Sequence, residues 1–254
     1  MTTSVGLVIP AYRPDVDRLG TYLRALRDAL DPATVRIELD APDPAVPGAL
    51  ADLPATVDTV PYRRGKGAAV TDGFEALDTD VLAFADADGA TPAGSVADVV
   101  AAVRDGTADL AVGSRRHPGA TVHGHQTLAR RYLGDGFAWL ARRLLAVDLF
   151  DYQCGAKALT ADGWETVRHH LYEPGFAWDV ELIAVAGALE LSVAEIPVEW
   201  NDRPGSTVSP LRTPLRMGRV LLAARHRAKR LRNSPVHEAL AARREESPAL
   251  VDQQ

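Results

Sequence analysis

Residues Val81 to Ala85 form an unbroken apolar run that ends abruptly on Asp86-Ala87-Asp88-Gly89. A run of that length with no polar alternation reads as a strand buried on both faces, which requires covering layers above and below it. In extended backbone, side chains two apart share a side, so Asp86 and Asp88 are expected to face one way and Ala87 the other. Such a pair suits a hard divalent cation, Mg²⁺ or Mn²⁺, with water and substrate phosphates completing its shell. A polar turn begun by Asp88-Gly89 is the alternative reading of the same residues.

The chain around that run alternates strand and helix signals. Ser4 to Pro10 reads as a first strand. Asp15 to Leu30 follows as an amphipathic helix with Leu19, Tyr22, Leu23, Leu26 and Leu30 on one face. A strand is expected over Thr34 to Leu39, a loop around Pro42, Pro44 and Pro47, and a strand over Ala55 to Tyr62. A helix runs from Gly67 to about Leu77, and others cover Ala93 to Arg104, Thr127 to about Val147 and Gly175 to Leu189. Ala108 to Arg116 and Ser192 to Trp200 read as strands, and Asp151 to Thr160 as a segment re-entering the core. The alternation predicts an α/β fold, a mainly parallel sheet flanked by helices, with ligands at the carboxyl ends of the strands.

Charge divides the chain. Residues 1–210 hold 30 Asp+Glu against 18 Lys+Arg, a formal −12, whereas 211–254 hold 4 against 10. The acidic body suits a high-salt medium that screens its self-repulsion. Residues 211–232 carry eight Lys/Arg and no Asp/Glu, with Met217, Val220, Leu221, Ala224, Ala228 and Leu231 along one helical face. That pattern reads as a basic amphipathic helix in a membrane interface, with docking on its own domain as the alternative. Residues 233–254 read as a polar tail, a short helix with a frayed end. Cys154 is the sole cysteine, which excludes an intrachain disulfide and a multi-cysteine zinc site and fits a reducing compartment. No stretch reaches the ~18 to 20 apolar residues of a membrane span, and the start lacks the charged flank of a secretory signal. An acidic body without a recognition motif argues against nucleic acid.

Other residues invite chemistry without deciding it. Lys66 lies between Gly65 and Gly67 at a loop-to-helix junction, where a helix amino end attracts an anion; a tight turn with a surface lysine fits equally. The spacing is neither that of a P-loop nor of a dinucleotide fingerprint. His117, His123 and His125 read as a mobile loop of solvated histidines. Asp179 and Glu181 fall in the first turns of a helix, where acids favour its dipole. Arg203, Gly205 and Ser206 can meet a phosphate.

Seven motifs in order carry a resemblance. VIPAY (Val8 to Tyr12), GKGAAV (Gly65 to Val70), FADADGAT (Phe84 to Thr91), VGSR (Val112 to Arg115), DYQCGAK (Asp151 to Lys157), WDVEL (Trp178 to Leu182) and EIPVEWNDRPGST (Glu195 to Thr207) resemble the family 2 inverting glycosyltransferases of the GT-A fold. Within that family they look most like the dolichyl-phosphate β-glucosyltransferase group, with the dolichyl-phosphate mannose synthases as relatives. The resemblance covers roughly residues 5–232.

The resemblance implies metal-dependent, inverting transfer of a hexose, glucose favoured, from a nucleotide sugar (UDP-glucose or GDP-mannose) to dolichyl or another polyprenyl phosphate; a mannose synthase, transfer to a soluble hydroxyl acceptor and a non-catalytic nucleotide-sugar binding module are the alternatives. Pro10, Ala11, Tyr12 and Asp40 would border the nucleoside, and Lys66 the donor. Asp86 and Asp88 would hold the nucleotide sugar through ribose and a Mg²⁺ or Mn²⁺ ion. Arg203 and Ser206 would contact the diphosphate. Arg115, Arg130 and Arg131 would receive the acceptor phosphate, while Asp151, Gln153, Trp178 and Asp179 would shape the sugar site. A phosphate acceptor is already an anion, so Asp151 is expected to position rather than to remove a proton. The implied location is the cytoplasmic face of a membrane. ELDAPDP (Glu38 to Pro44) stands where the family has Asp-Asp-Gly-Ser, Arg63 replaces a common asparagine and Thr71 a common arginine, which leaves the nucleotide open.

Overall fold

The computed structural model describes residues 3–124, 128–202, 213–237 and 248–253; of 128–133 and 213–217 it describes the backbone. The chain runs β1 (Val5–Tyr12), α1 (Val16–Leu30), β2 (Thr34–Asp40), α2 (Ala45–Leu50), β3 (Thr56–Val60), α3 (Lys66–Glu75), β4 (Val81–Ala85) and α4 (Ala93–Arg104). It continues through β5 (Leu110–Ser114), β6 (Thr121–His123), α5 (Leu128–Leu144), β7 (Ala156–Thr160), α6 (Ala161–Val167) and α7 (Trp178–Ala188). The last described elements are β8 (Val193–Pro197), β9 (Glu199–Asn201) and α8 (Thr213–Leu231), with 3₁₀ turns at Arg168–His170 and Leu250–Gln253.

Seven strands form one sheet in the order β3-β2-β1-β4-β7-β5-β8. All neighbours are parallel except β7, which enters antiparallel between β4 and β5. Strand period separates the two covering layers. On β4, Val81, Ala83 and Ala85 pack with α1 and α4, whereas Leu82 and Phe84 point into the layer holding α3 and α7. Both faces are filled, which is why the run needed no polar alternation.

The helices follow from local chemistry. Asp15 caps α1 by accepting the Arg18 N–H at 3.1 Å, and Asp31 ends it in a left-handed conformation. Helix α7 is buried along its whole length, so its sequence shows almost no polar face.

Several segments depart from the expectations. The proline-rich loop contains the short helix α2, because Pro44 and Pro47 both fit a first helical turn. The final strand divides at Val198 into β8 and β9, and β9 pairs with β6 in a separate two-stranded ribbon. The histidine loop is therefore partly strand, with His123 Nε2 3.3 Å from Glu199 Oε1; His125 lies outside the described residues. The tail also returns to the body. Ala249 and Leu250 are buried, and the Leu250 N–H bonds to the Leu171 carbonyl at 2.8 Å. On α8, Leu221, Ala224 and Ala228 are buried in the core cluster beside α7. That face of α8 is a packing face; beyond it Arg225 bonds to the Leu144 carbonyl, Arg227 pairs with the buried Glu181, and Leu222 is exposed.

Candidate active site

The chain turns at once where β4 stops. The Asp88 carboxylate accepts the Ala90 N–H at 2.9 Å, and Gly89 takes φ +64°. This side-chain-to-backbone bond makes the Asx turn expected of an Asp-Gly pair. Extended-strand alternation accordingly ends at Asp86 and does not govern Asp88. The turn packs on the ring of Tyr22, whose hydroxyl donates to the Thr91 carbonyl at 2.7 Å; burial, then Asp86 and Asp88, push its pKa far above the usual phenol range. The Asn201 N–H reaches the Ala90 carbonyl at 2.8 Å, which sets β9 against the same turn.

Lys66 is not a surface lysine. Its ammonium lies 2.9 Å from Asp86 Oδ1 and 2.9 Å from Asp179 Oδ2. Asp179 in turn bonds Lys157 Nζ at 2.7 Å, and Lys157 donates to the Cys154 carbonyl. Two carboxylates and two ammoniums thus alternate from the cleft into the core, with the Phe84 ring 4.7 Å from Lys66 and 5.6 Å from Lys157. Burial would lower the Lys66 pKa and raise that of Asp179. The opposite charges beside each outweigh it, so the lysine is held above and the aspartate below its ordinary range.

Glycines set how closely these groups meet. A Cβ at Gly155 would overlap the Asp86 carboxylate, and one at Gly65, where φ is +101°, would overlap the Pro174 carbonyl. Trp178 is fully buried beneath this turn, edge-on to Phe74 and Phe84. Expected at the sugar site, it is a core residue instead, since an indole between two phenyl rings gains more from burial than from a wet cleft.

At the end of β1, Ala11 is buried while Tyr12 is exposed, with the Arg63 guanidinium 4.2 Å over its ring. Asp40 closes β2. It accepts Arg64 Nε at 2.8 Å and the Gly65 N–H at 2.9 Å, and Arg64 also bonds Glu38 and Asp72. The carboxylate expected to border the nucleoside is therefore also the anchor of the Lys66 loop.

Across the cleft, Asp151 takes Arg115 in a two-point pair, Oδ2 to Nε at 2.7 Å and Oδ1 to Nη2 at 3.0 Å. It also accepts the Arg115 and Gln153 backbone N–H groups. Burial would raise its pKa, but Arg115 and these bonds hold the carboxyl well below the usual range. The Arg115 side chain is 24% exposed, and its guanidinium lies 5.6 Å from the Trp200 ring. Arg130 and Arg131 sit in the first turns of α5 with side chains outside the described residues; Arg203 and Ser206 lie outside them altogether.

Two charged residues of the site, Lys157 and Arg64, were not expected from the sequence. A lysine inside the otherwise apolar Ala156–Thr160 was the available signal, because a buried ammonium needs a buried carboxylate. The donor set fits a hard cation. Asp86 and Asp88 offer carboxylate oxygens, Gly155 leaves the first of them room, and among the described residues no group of three His, Cys, Asp or Glu forms a closed metal cage. Two carboxylates with the remaining positions left to water and diphosphate is the Mg²⁺ pattern.

Residues 7–148 match Glycosyl transferase family 2. The chain belongs to that family. It is 31% identical over 233 residues to Glycosyltransferase AglD of Haloferax volcanii, covering 86% of this chain and 36% of AglD. It is 33% identical over 176 residues to the dolichyl-phosphate β-glucosyltransferase of Mus musculus, covering 67% of this chain and 54% of that protein. The chain thus spans about half, or less, of the length of these relatives. Its fold is similar to that of glucosyl-3-phosphoglycerate synthase from Mycobacterium tuberculosis in complex with Mg²⁺ and UDP. The TM-score is 0.67 at 14% identity, covering 87% of this chain and 79% of that one. The architecture is the GT-A fold, the α/β class expected of the sequence. Among the described residues no helix is long and apolar enough to cross a membrane.

Proposed function

We propose that this family 2 glycosyltransferase moves a hexose, glucose favoured, from a nucleoside diphosphate sugar to a polyprenyl phosphate of the dolichyl class, with inversion. The observation that carries this reading is the state of Asp151. Four N–H groups from Arg115 and Gln153 occupy its oxygens, so it is a poor base for a hydroxyl acceptor. A phosphate needs no base, and Arg115, partly exposed beside Asp151, is the guanidinium that would meet one.

In the reaction, a phosphate oxygen of the acceptor bonds to the anomeric carbon as the bond from that carbon to the donor diphosphate breaks. The nucleoside diphosphate leaves with the electron pair. Asp86 and Asp88 would hold Mg²⁺ or Mn²⁺, which when bound supplies Lewis-acid charge to the leaving diphosphate. Lys66 fixes Asp86 from behind, and Tyr12 offers its ring to the base. Arg203 and Ser206, two and five residues beyond β9, are assigned to the diphosphate, and Arg130 and Arg131 to the acceptor phosphate. The similarity to dolichyl-phosphate β-glucosyltransferases supports the lipid phosphate and glucose; the Mg²⁺ and UDP of the Mycobacterium structure support the metal and the nucleotide class. The acceptor places the enzyme on the cytoplasmic surface of a membrane.

Purified protein with Mg²⁺ or Mn²⁺ and detergent-dispersed dolichyl phosphate, given labelled UDP-glucose or GDP-mannose in separate tubes, tests the reading. Label entering the lipid phase from UDP-glucose and lost with EDTA is expected. Label from GDP-mannose alone would replace glucose by mannose, and none from either donor would overturn the reading.

A further inference from the structure

We propose that the carboxyl end of α5 and the loop after it form a membrane-docking belt whose occupant is an anionic lipid bilayer. Trp139 is 54% exposed, Phe150 38% and Leu140 37%, a concentration of large apolar side chains within twelve residues of chain. Each ring is covered by an arginine. The Arg143 guanidinium lies 5.2 Å from the Trp139 centroid and that of Arg142 5.3 Å from Phe150. Trp139, Arg142 and Arg143 are three and four residues apart on α5 and so share a face. Beside them opens a cleft of ≈ 390 Å³ lined by Trp139, Arg142, Arg143, Leu145, Val147 and Asp148, among others. Asp148 is well exposed and 3.9 Å from Arg142, too loose a pair to neutralise both arginines.

The belt begins where the acceptor site ends. Phe150 directly precedes Asp151, its N–H bonds to Glu195, and the edge of its ring meets His117 at 5.7 Å between centroids. On the other flank, Arg225 of α8 donates to the Leu144 carbonyl at 2.9 Å, which aligns the basic helix with the belt. Aromatic rings settle at the headgroup level of a bilayer, and guanidinium groups lying over them meet lipid phosphates. Charge selects the occupant. A second copy docking on the same patch would oppose arginine to arginine, whereas anionic lipid complements them. The membrane-facing surface is thus the end of α5 and the loop after it, while the apolar face of α8 packs against α7.

The inference deepens the polyprenyl phosphate reading, because that acceptor is held in a bilayer, but binding is measured without any substrate. The full chain is cosedimented with vesicles of phosphatidylcholine, with and without phosphatidylglycerol. The intact protein is expected to bind the anionic vesicles, and Trp139→Ala with Phe150→Ala to bind about tenfold more weakly at unchanged circular dichroism. The milder Trp139→Phe keeps a ring in place and removes one of four tryptophans; it should abolish the blue shift that anionic vesicles induce in the fluorescence. Equal binding by the double variant, or a blue shift retained in Trp139→Phe, would overturn the belt. So would a dimer in sedimentation velocity that the double variant abolishes while vesicle binding stays intact. Transfer to a short, water-soluble isoprenyl phosphate separates the two readings. The double variant should match the intact protein on it and fall about tenfold on vesicle-embedded acceptor. If the intact protein glycosylates neither acceptor, the function fails while vesicle binding still decides the belt.

Discussion

The two walls of the cleft solve the same electrostatic problem differently. On the wall assigned to the donor, Lys66 is shared between Asp86 and Asp179, and Asp179 between Lys66 and Lys157, so each of these charges has an opposite neighbour. On the wall assigned to the acceptor, one buried carboxylate holds one arginine that remains partly exposed. Shared partners inside a core leave a side chain no second position, whereas a single pair at a rim leaves one face of the cation for a ligand. The Lys66 side is thereby fixed by its own packing, and the Arg115 side keeps a partly exposed cation, as the proposed donor and acceptor roles require.

Asp88→Ala should strike hardest, because it removes half of the carboxylate pair proposed to hold the metal at the diphosphate. Turnover should fall by about 10³-fold or more in the transfer assay with the fold intact by circular dichroism. Retained turnover would move the chemistry away from the donor wall. Lys66→Met leaves Asp86 without its ammonium and Asp179 with Lys157 alone. It should cost about 3 kcal/mol in urea unfolding and about 100-fold in turnover. A loss of activity with no loss of stability would mean that Lys66 acts on substrate rather than on its neighbours.

Gly155→Ala is a finer probe. The new methyl group would occupy the place of the Asp86 carboxylate, so Mn²⁺ affinity in the presence of UDP, followed by electron paramagnetic resonance, should drop about tenfold or more. Unchanged affinity would show that Asp86 is not a ligand. Asp151→Asn should be the mildest for catalysis, raising the acceptor KM about tenfold with little change in kcat. Its stability effect depends on pH. The carboxyl titrates lower in the folded than in the unfolded protein, so its contribution is complete above the ordinary carboxylate pKa and is lost as pH falls through the acid range. A deficit of about 2 to 3 kcal/mol at pH 7 that shrinks below pH 4 is expected in denaturant titrations. A larger loss of kcat than of acceptor binding would give Asp151 a proton to move.

Much of the wall that carries Asp86 and Lys66 was legible in the sequence, because it depends on an apolar run stopping at two aspartates and on a lysine flanked by glycines. Local pattern carries such information. What pattern could not carry was partnership. Lys66, Asp179 and Lys157 come from α3, α7 and β7, distant in sequence, and their alternation exists in the packed core alone. Trp178 was misassigned for the same reason, since a motif tryptophan looks alike whether it faces a sugar or two phenylalanines. The short helix α2 and the β6–β9 ribbon escaped notice because each is brief enough for tertiary context to override its local signals. Of the apolar stripe expected on α8, Leu221, Ala224 and Ala228 are buried in the core, but a stripe in sequence does not say what covers it.

The most direct measurement sets two acceptors of equal chain length against each other, a polyprenyl phosphate and the corresponding polyprenol, with saturating donor and Mg²⁺. With Asp151 committed to Arg115, product should form on the phosphate alone, with the anomeric configuration inverted. Comparable glycosylation of the polyprenol would mean that a base is at work in this cleft, and would contradict the assignment of a phosphate acceptor.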